Sequence, residues 1–170
     1  KILSIACGGS RDLQSLADRS HAFSGALVLN DADPSALEIS RQRLRPFSHC
    51  CTTVPGRVVD LRSRLTMLGP YDLVMAGGLF DYLSDAIAIR LLRTAHRDYL
   101  APGGVLYFTN MAAGNPYRLW MGLVGEWRLL ERTDTLAHEL CALGDGNALA
   151  LGAPSRIRSL SRLELETGEI

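Results

Sequence analysis

Short apolar runs alternate along the chain with segments whose apolar residues recur every three or four positions. The runs predict buried strands, and the periodic segments predict helices with one apolar face. The predicted strands are Ile2–Ala6, Ala26–Leu29, Arg57–Asp60, Tyr71–Ala76 and Val105–Thr109. Regular alternation of strand and helix is typical of an α/β fold with a mostly parallel sheet.

Local signals mark where the predicted helices begin and where the chain turns. Asp33 followed by Pro34 combines a capping side chain with a residue suited to the first helical position, so a helix is predicted from there to about Leu44. Ser84 is predicted to cap a later helix. Residues 45–56 contain two prolines and a glycine and are predicted to form a loop.

The last third of the chain changes character. Helices are predicted over Asn115–Leu123 and Thr133–Leu143, and Arg156–Leu165 alternates like a half-exposed strand that enters a Thr-Gly turn. The chain begins inside a strand pattern and ends in an incomplete one. We therefore expect a single domain over residues 1–170 that is a fragment of a longer polypeptide, with its last strand truncated.

Composition narrows the class of protein. The 170 residues are 47% hydrophobic and 21% charged, with a formal net charge of zero, which predicts a packed core and argues against a broad nucleic-acid interface. No apolar run is long enough for a membrane span. The four cysteines and four histidines show no zinc-ligand spacing, so no metal site and reduced thiols in a cytoplasmic protein are expected.

Three predicted strand ends carry groups suited to an adenosine-containing ligand. Small residues at Ala6, Gly8 and Gly9 let a ligand approach the backbone at the first turn. Asp31, just after the second strand, is placed to accept hydrogen bonds from ribose hydroxyls, and Asp60 from an adenine amino group. The alternatives are a glycine-rich turn without a ligand, a helix-capping Asp31 and a solvated Asp60.

Four segments resemble a known family in the right order. Residues 2–10, ILSIACGGS, resemble motif I of class I S-adenosylmethionine-dependent methyltransferases, V-L-D-x-G-C-G-x-G. Residues 31–34, DADP, are similar to the family's D-x-S/D-P. Residues 71–74, YDLV, resemble F-D-x-V, and residues 100–106, LAPGGVL, resemble L-x-P-G-G-x-L. The resemblance covers roughly residues 1–110.

The resemblance implies a fold, a cofactor and its binding residues. It implies a Rossmann-like three-layer sandwich with a seven-stranded, mostly parallel sheet of order 3-2-1-4-5-7-6. It implies S-adenosylmethionine as cofactor, and methyl transfer that needs neither a metal nor a covalent intermediate. The expected cofactor-binding residues are Ala6, Cys7, Gly8, Gly9, Asp31, Ala32, Asp60, Leu61, Ala76 and Gly77.

Some positions depart from the family pattern. Ser4 replaces the usual acidic residue of motif I, so a carboxylate contact there is in doubt, while Ala6 and Ser10 replace glycines. These variants, with residues 78–83 and 114–118, resemble a narrower bacterial subgroup, the extracellular-factor (3-hydroxypalmitic acid methyl ester) biosynthesis proteins. That subgroup implies a small-molecule acceptor, such as the carboxylate of a hydroxy fatty acid.

The candidate acceptor-side residues follow the fourth and fifth strands. Asp81, Tyr82 and Arg118 are the predicted catalytic residues, with Arg118 suited to clamping a carboxylate in bidentate fashion. The alternatives are capping and packing for Asp81 and Tyr82, and a surface position for Arg118. Trp120 and Trp127 are predicted to lie in the core. No histidine is assigned a role, and the oligomeric state is left open.

Two other functions compete with methyl transfer. A catalytically silent methyltransferase-like module, acting as a scaffold or ligand sensor, would fit the atypical motif I. A NAD-dependent oxidoreductase would need a cleaner G-x-G-x-x-G than residues 7–12 provide, and the P-G-G turn points away from it.

Overall fold

A single seven-stranded sheet forms the centre of the molecule. The computed structural model describes residues 1–18, 23–143, 149–151 and 160–163. The strands are β1 (Ile2–Ile5), β2 (Leu27–Asp31), β3 (Cys51–Pro55), β4 (Tyr71–Ala76), β5 (Leu100–Phe108), β6 (Leu149–Leu151) and β7 (Leu160–Leu163). Their order is β3-β2-β1-β4-β5-β7-β6, as the resemblance implies. Strands β1 to β5 pair in parallel, and β7 pairs antiparallel with both β5 and β6.

Helices and short helical turns connect the strands. The α-helices are α1 (Gln14–Asp18), α2 (Pro34–Arg43), α3 (Arg62–Met67), α4 (Asp85–Thr94), α5 (Arg118–Val124) and α6 (Asp134–Leu143). The 3-10 turns are Arg11–Leu13, Arg45–Cys50, Val58–Asp60 and Phe80–Tyr82, and a π turn spans Ala95–Tyr99. The predicted start of α2 is confirmed, because the Asp33 carboxylate accepts a hydrogen bond from the Ser35 N–H at 2.8 Å.

Two apolar cores cover the two faces of the sheet. One contains Leu3 and Ile5 of β1 with buried residues of α3, α4 and α6, such as Leu65. The other contains Leu27 and Leu29 of β2 with residues of α2 and the following 3-10 turn. Successive side chains of a strand point to opposite faces, so strands buried on both sides read as continuous apolar runs. The predicted three-layer α/β fold is therefore confirmed.

The third strand lies earlier than predicted. Residues Cys51–Pro55, predicted as loop, form β3 at the edge of the sheet and pair with β2 from Leu27 onward. A proline is tolerated at the end of an edge strand, and the two threonines of this segment favour extended backbone. The predicted strand Arg57–Asp60 is wrong, because Val58–Asp60 is a 3-10 turn that leads into α3.

The fifth strand is longer than predicted, because β5 already begins at Leu100 and includes the P-G-G segment. The register between β4 and β5 shifts between Tyr71 and Leu73 to accommodate that segment. Of the predicted strand at residues 156–165, only β7 lies in the described part of the chain. Residues 164–170 lie outside it, so truncation of the last strand stays a prediction.

Candidate functional site at the carboxyl edge of the sheet

The turn after β1 has an unusual backbone. Ala6, Gly8 and Ser10 all have positive φ angles, of 48°, 51° and 50°. The Ser10 N–H donates to the Cys7 carbonyl at 2.8 Å, and the Cys7 N–H donates to the Asn30 carbonyl at 3.0 Å. Left-handed backbone at a residue other than glycine is costly and persists where the surroundings hold it in place. The turn is therefore a fixed structural feature.

Two buried serines hold this turn against α2. The Ser40 hydroxyl donates to the Gly8 carbonyl at 2.8 Å and lies 2.9 Å from the Ser10 hydroxyl, which donates to it. Both serines are fully buried. Ser40 is not among the residues predicted from sequence, although its spacing from Leu37 and Leu44 places it on the inward face of α2. Ser10, a departure from the family glycine, thus gains a partner inside the fold.

Gly9 lies against the same helix. A Cβ at this position would lie 2.7 Å from Nη1 of Arg43 and 3.0 Å from Cγ2 of Ile39. The Arg43 guanidinium also donates to the Gly9 carbonyl. A larger residue would therefore displace Arg43 from this contact.

The Asp31 carboxylate lies directly beside the glycine turn. Its Oδ2 accepts the Gly8 N–H at 2.8 Å, and its Oδ1 accepts the Asp33 N–H at 2.9 Å. A carboxylate has about four acceptor positions, so each oxygen keeps a lone pair for a further donor. A Cβ on Gly8 would have nothing within 4 Å, so the space above the turn is open. Asp31 and Gly8 are thus brought together at an open groove.

The remaining predicted cofactor residues end or follow β2, β3 and β4, at the carboxyl edge of the sheet. Ala32 is exposed between Asp31 and α2, and Ala76 ends β4 with Gly77 exposed after it. Asp60 follows β3 through a 3-10 turn, is exposed, and lies 3.8 Å from the Arg57 guanidinium. This corrects its predicted place at a strand end. Leu61 packs 3.1 Å from the position of a Cβ on Gly56.

Asp12 is a further acidic residue near this turn that the sequence did not predict as part of the site. It lies in the 3-10 turn after Ser10, and its Oδ2 is 3.7 Å from where a Cβ on Gly77 would be. It is accessible to solvent, but neighbouring atoms remove enough water from the carboxyl to raise its pKa, against the opposing effect of the Leu13 N–H. With four sheet residues it lines a cavity of about 390 Å³, those residues being Leu73, Met75, Val105 and Tyr107.

The predicted acceptor-side residue Asp81 is buried in the 3-10 turn after β4. Its Oδ1 accepts the Met111 N–H at 2.5 Å, and its backbone carbonyl accepts the Leu130 N–H at 2.8 Å. Burial raises the pKa of the Asp81 carboxyl, while the Met111 N–H and the nearby Arg132 act in the opposite direction. Asp81 thus joins the chain after β4 to the chain after β5.

Tyr82 and the segment around α5 form an exposed surface. The Tyr82 hydroxyl accepts the indole N–H of Trp127 at 2.5 Å. Trp120 and Trp127 are 69% and 51% exposed, so their predicted core position is wrong. The reason is that α5, which contains Trp120 and precedes Trp127, has no buried residue in the described structure. Arg118 begins α5 and lines a cavity of about 360 Å³ together with Trp127.

The three predicted acceptor-side residues are not all connected by direct contacts in the described structure. Within the described ranges, no hydrogen bond or ion pair connects Arg118 with Asp81 or Tyr82. Asp81 and Tyr82 are adjacent in one turn, and Trp127 connects Tyr82 to the segment after α5. Their roles stay predictions.

Arg132, also missed, connects the loops at this edge. It is only 4% exposed, and its guanidinium donates to the carbonyls of Phe80 at 2.7 Å and Leu83 at 2.5 Å. It also donates to the Asn110 side chain and to Oδ1 of Asp85, the latter at 2.8 Å. One buried side chain thus fastens the turn after β4 to the loop after β5. A single arginine outside any periodic pattern gave no signal in the sequence.

Comparison with known proteins identifies the fold. No protein-family model matches the sequence, and no curated protein matches it. Solved structures do match. An O-methyltransferase family protein from Burkholderia thailandensis superposes with a TM-score of 0.74 at 14% identity, over 99% of this chain and 51% of its own.

Two further structures agree with this assignment of the fold. The methyltransferase domain of bacterial CtHen1 matches with a TM-score of 0.71 at 14% identity, over 97% of this chain and 90% of its own. PigF, solved with SAH, matches with a TM-score of 0.67 at 16% identity, over 98% of this chain and 50% of its own. This chain therefore spans about half the length of two of these structures. None of the described helices is long and apolar enough to cross a membrane.

Proposed function

We propose that this protein transfers a methyl group from S-adenosylmethionine to a small-molecule acceptor. The observation that carries the proposal is the Asp31 carboxylate, held by the Gly8 and Asp33 N–H groups at the open groove above the glycine turn. Its free lone pairs suit the two hydroxyls of a ribose. The likeness in fold to PigF, which was solved with SAH, supports the same ligand chemistry.

The residues at this edge fit the parts of such a cofactor. Asp31 would accept from the ribose, and Asp60 from the adenine amino group. The others would surround the ligand through backbone groups and small side chains, namely Ala6, Cys7, Gly8, Gly9, Ala32, Leu61, Ala76 and Gly77. The chemistry that S-adenosylmethionine supplies when bound is an electrophilic sulfonium methyl group. The protein's contribution to an in-line displacement is to hold donor and acceptor in alignment.

For the acceptor, we propose a carboxylate, such as that of a hydroxy fatty acid. Arg118 is exposed and has no ion-pair partner in the described structure, so its guanidinium is free to pair with an anion. Apolar side chains of α5 lie next to it, including Leu119 and Leu123. A carboxylate is already ionised near neutral pH, so it needs no general base. Asp81 and Tyr82 would shape the acceptor side, in a protein that we place in the cytoplasm.

Calorimetric titration with S-adenosylhomocysteine tests the proposal. We expect the wild-type protein to bind, and Asp31→Asn to weaken binding by at least about tenfold, since charge-assisted hydrogen bonds to the ribose are lost. Asp33→Asn is the matched control, because asparagine caps a helix as well as aspartate does. Absence of binding to folded wild-type protein, or equal binding by Asp31→Asn, would contradict the proposal.

Two further measurements address the competing functions. A thermal-shift comparison of NADH with S-adenosylhomocysteine should show stabilisation by the latter alone, and the reverse result would favour an oxidoreductase. Methyl transfer to a panel of carboxylates should be detectable with radiolabelled S-adenosylmethionine. Tight cofactor binding without turnover on any acceptor class would instead favour a catalytically silent module.

A further inference from the structure

The cavity of about 360 Å³ beside α5 has a wall that the fold holds in place. This α5 cavity is lined by α5 and by the chain that follows it, residues 127–131. The chain reverses at Glu126, whose φ is 47°, and the Trp127 N–H then donates to the Met121 carbonyl at 2.9 Å. The indole N–H of the same tryptophan donates to the Tyr82 hydroxyl. Trp127 is therefore fixed both to α5 and to the turn after β4.

The lining of the α5 cavity combines apolar side chains with an excess of positive charge. Its charged groups are Arg118, Arg128 and Glu131. Neither arginine forms an ion pair within the described ranges, whereas the Glu131 carboxylate accepts the Gly114 N–H at 3.3 Å. The apolar side chains are Leu119, Met121, Leu123, Trp127 and Leu129. Such a lining fits a ligand that joins an anionic group to an apolar body.

Gly122 of α5 has no steric reason in the described structure to be glycine. A Cβ there would have nothing within 4 Å beyond its own helix, and its φ is not positive. Glycine inside a helix is less favourable than alanine, so this glycine costs stability. It lines the cavity and follows Leu119 by three residues and Arg118 by four, which places all three on one face of α5. What the glycine provides is space in the cavity.

We propose that the α5 cavity binds the apolar tail of a carboxylate acceptor, with Arg118 at the anionic end, and that Gly122 determines the length of tail that fits. The inference rests on the proposed function and adds the shape of its acceptor. Each methylene group that enters an apolar site tightens binding by roughly threefold to fourfold. Affinity should therefore rise with tail length until the cavity is full.

Straight-chain carboxylates provide the test, namely hexanoate, octanoate and decanoate below the concentrations at which they form micelles. Trp120→Phe leaves Trp127 as the sole tryptophan, so fluorescence reports binding in the cavity that Trp127 lines. In this background we expect affinity to rise by roughly threefold to fourfold per methylene. Gly122→Leu should leave the affinity for hexanoate within about twofold and weaken that for decanoate by at least about tenfold.

Three variants separate the tail from the anionic end and from helix stability. Gly122→Ala should weaken decanoate less than Gly122→Leu does, without lowering the melting temperature, because alanine favours the helix. Val124→Leu adds bulk to α5 outside the lining of the cavity and should leave all affinities unchanged. Arg118→Gln should weaken the three carboxylates by the same factor, about tenfold, because they share the anionic group.

Equal affinity of the wild type and Gly122→Leu for decanoate, or affinities that do not change with tail length, would overturn the inference. A dimer in size-exclusion chromatography that Gly122→Leu dissociates would also overturn it, because a second copy would then occupy the cavity. Titration with S-adenosylhomocysteine distinguishes this failure from that of the proposed function. Binding of S-adenosylhomocysteine without the carboxylate profile removes the tail site alone, whereas the reverse result removes the proposed function.

Discussion

The loops at the acceptor side depend on Arg132, and replacing it should destabilise the whole domain. Arg132→Met keeps much of the side-chain volume but removes the guanidinium that donates to the carbonyls of Phe80 and Leu83 and to the Asn110 side chain. Each buried acceptor left without a partner costs about 1–3 kcal/mol. The bond to Asp85 adds little, because that side chain is 55% exposed.

The expected loss is about 3–5 kcal/mol in the free energy of unfolding, because Phe80, Leu83 and Asn110 each lose the hydrogen bond from Arg132. This is a large part of the roughly 5–15 kcal/mol of a typical domain. It corresponds to a fall in melting temperature of about 6–20 °C, at 2–4 °C per kcal/mol for a domain of this size. Urea unfolding followed by circular dichroism measures the first quantity, and thermal unfolding the second.

Two variants sharpen this measurement. Arg128→Met removes an exposed arginine from the same segment and should change stability by no more than about 0.5 kcal/mol. The free energy of unfolding of Arg132→Lys should lie between those of Arg132→Met and Arg128→Met, since an ammonium group cannot reproduce the planar fork of a guanidinium. Equal urea midpoints for Arg132→Met and Arg128→Met would refute the reasoning that this side chain holds the loops together.

Three further results are expected. Gly9→Ala should lower the free energy of unfolding by about 1–2 kcal/mol in urea titrations, because its Cβ must displace Arg43. Ser40→Ala removes two buried hydrogen bonds and should cost about 1–3 kcal/mol by the same assay, whereas the exposed Ser35→Ala should cost less. Burial raises the pKa of the Cys141 thiol from 9.0 to about 11 in the folded protein, so the unfolded chain loses this proton at a lower pH than the folded protein does. Stability should then fall by about 1.4 kcal/mol per pH unit between those values, a slope that Cys141→Ala removes.

The parts of the fold that local chemistry determines were predictable from sequence. The strand at Tyr71–Ala76 and the helix start at Asp33 lie where the sequence predicts them, because a buried apolar run and a capping pair act over a few residues. The strand at Cys51–Pro55 was missed because it lies at a sheet edge, where polar residues are allowed and pairing with β2 decides the conformation.

Only the part of the site that is formed by a turn and by the residue at the end of a strand could be predicted from sequence. Asp31, which accepts a hydrogen bond from the Gly8 N–H, belongs to that part. Ser40 and Arg132 were missed because their partners are 32 and 52 residues away in the chain, at Gly8 and Phe80. Trp127 was assigned to the core from its size alone, although its position after an exposed helix leaves it at the surface.

The serine contact between α2 and the glycine turn has a consequence for engineering this protein. Ser40 shapes the groove floor from a helix whose Leu37, with Leu44 at its end, lies in the core, so a change at Leu37 or Leu44 would reach the groove through Ser40 without touching any ligand. Because close-packed interiors transmit small displacements, libraries that aim to retune cofactor affinity have useful positions beneath the pocket as well as around it.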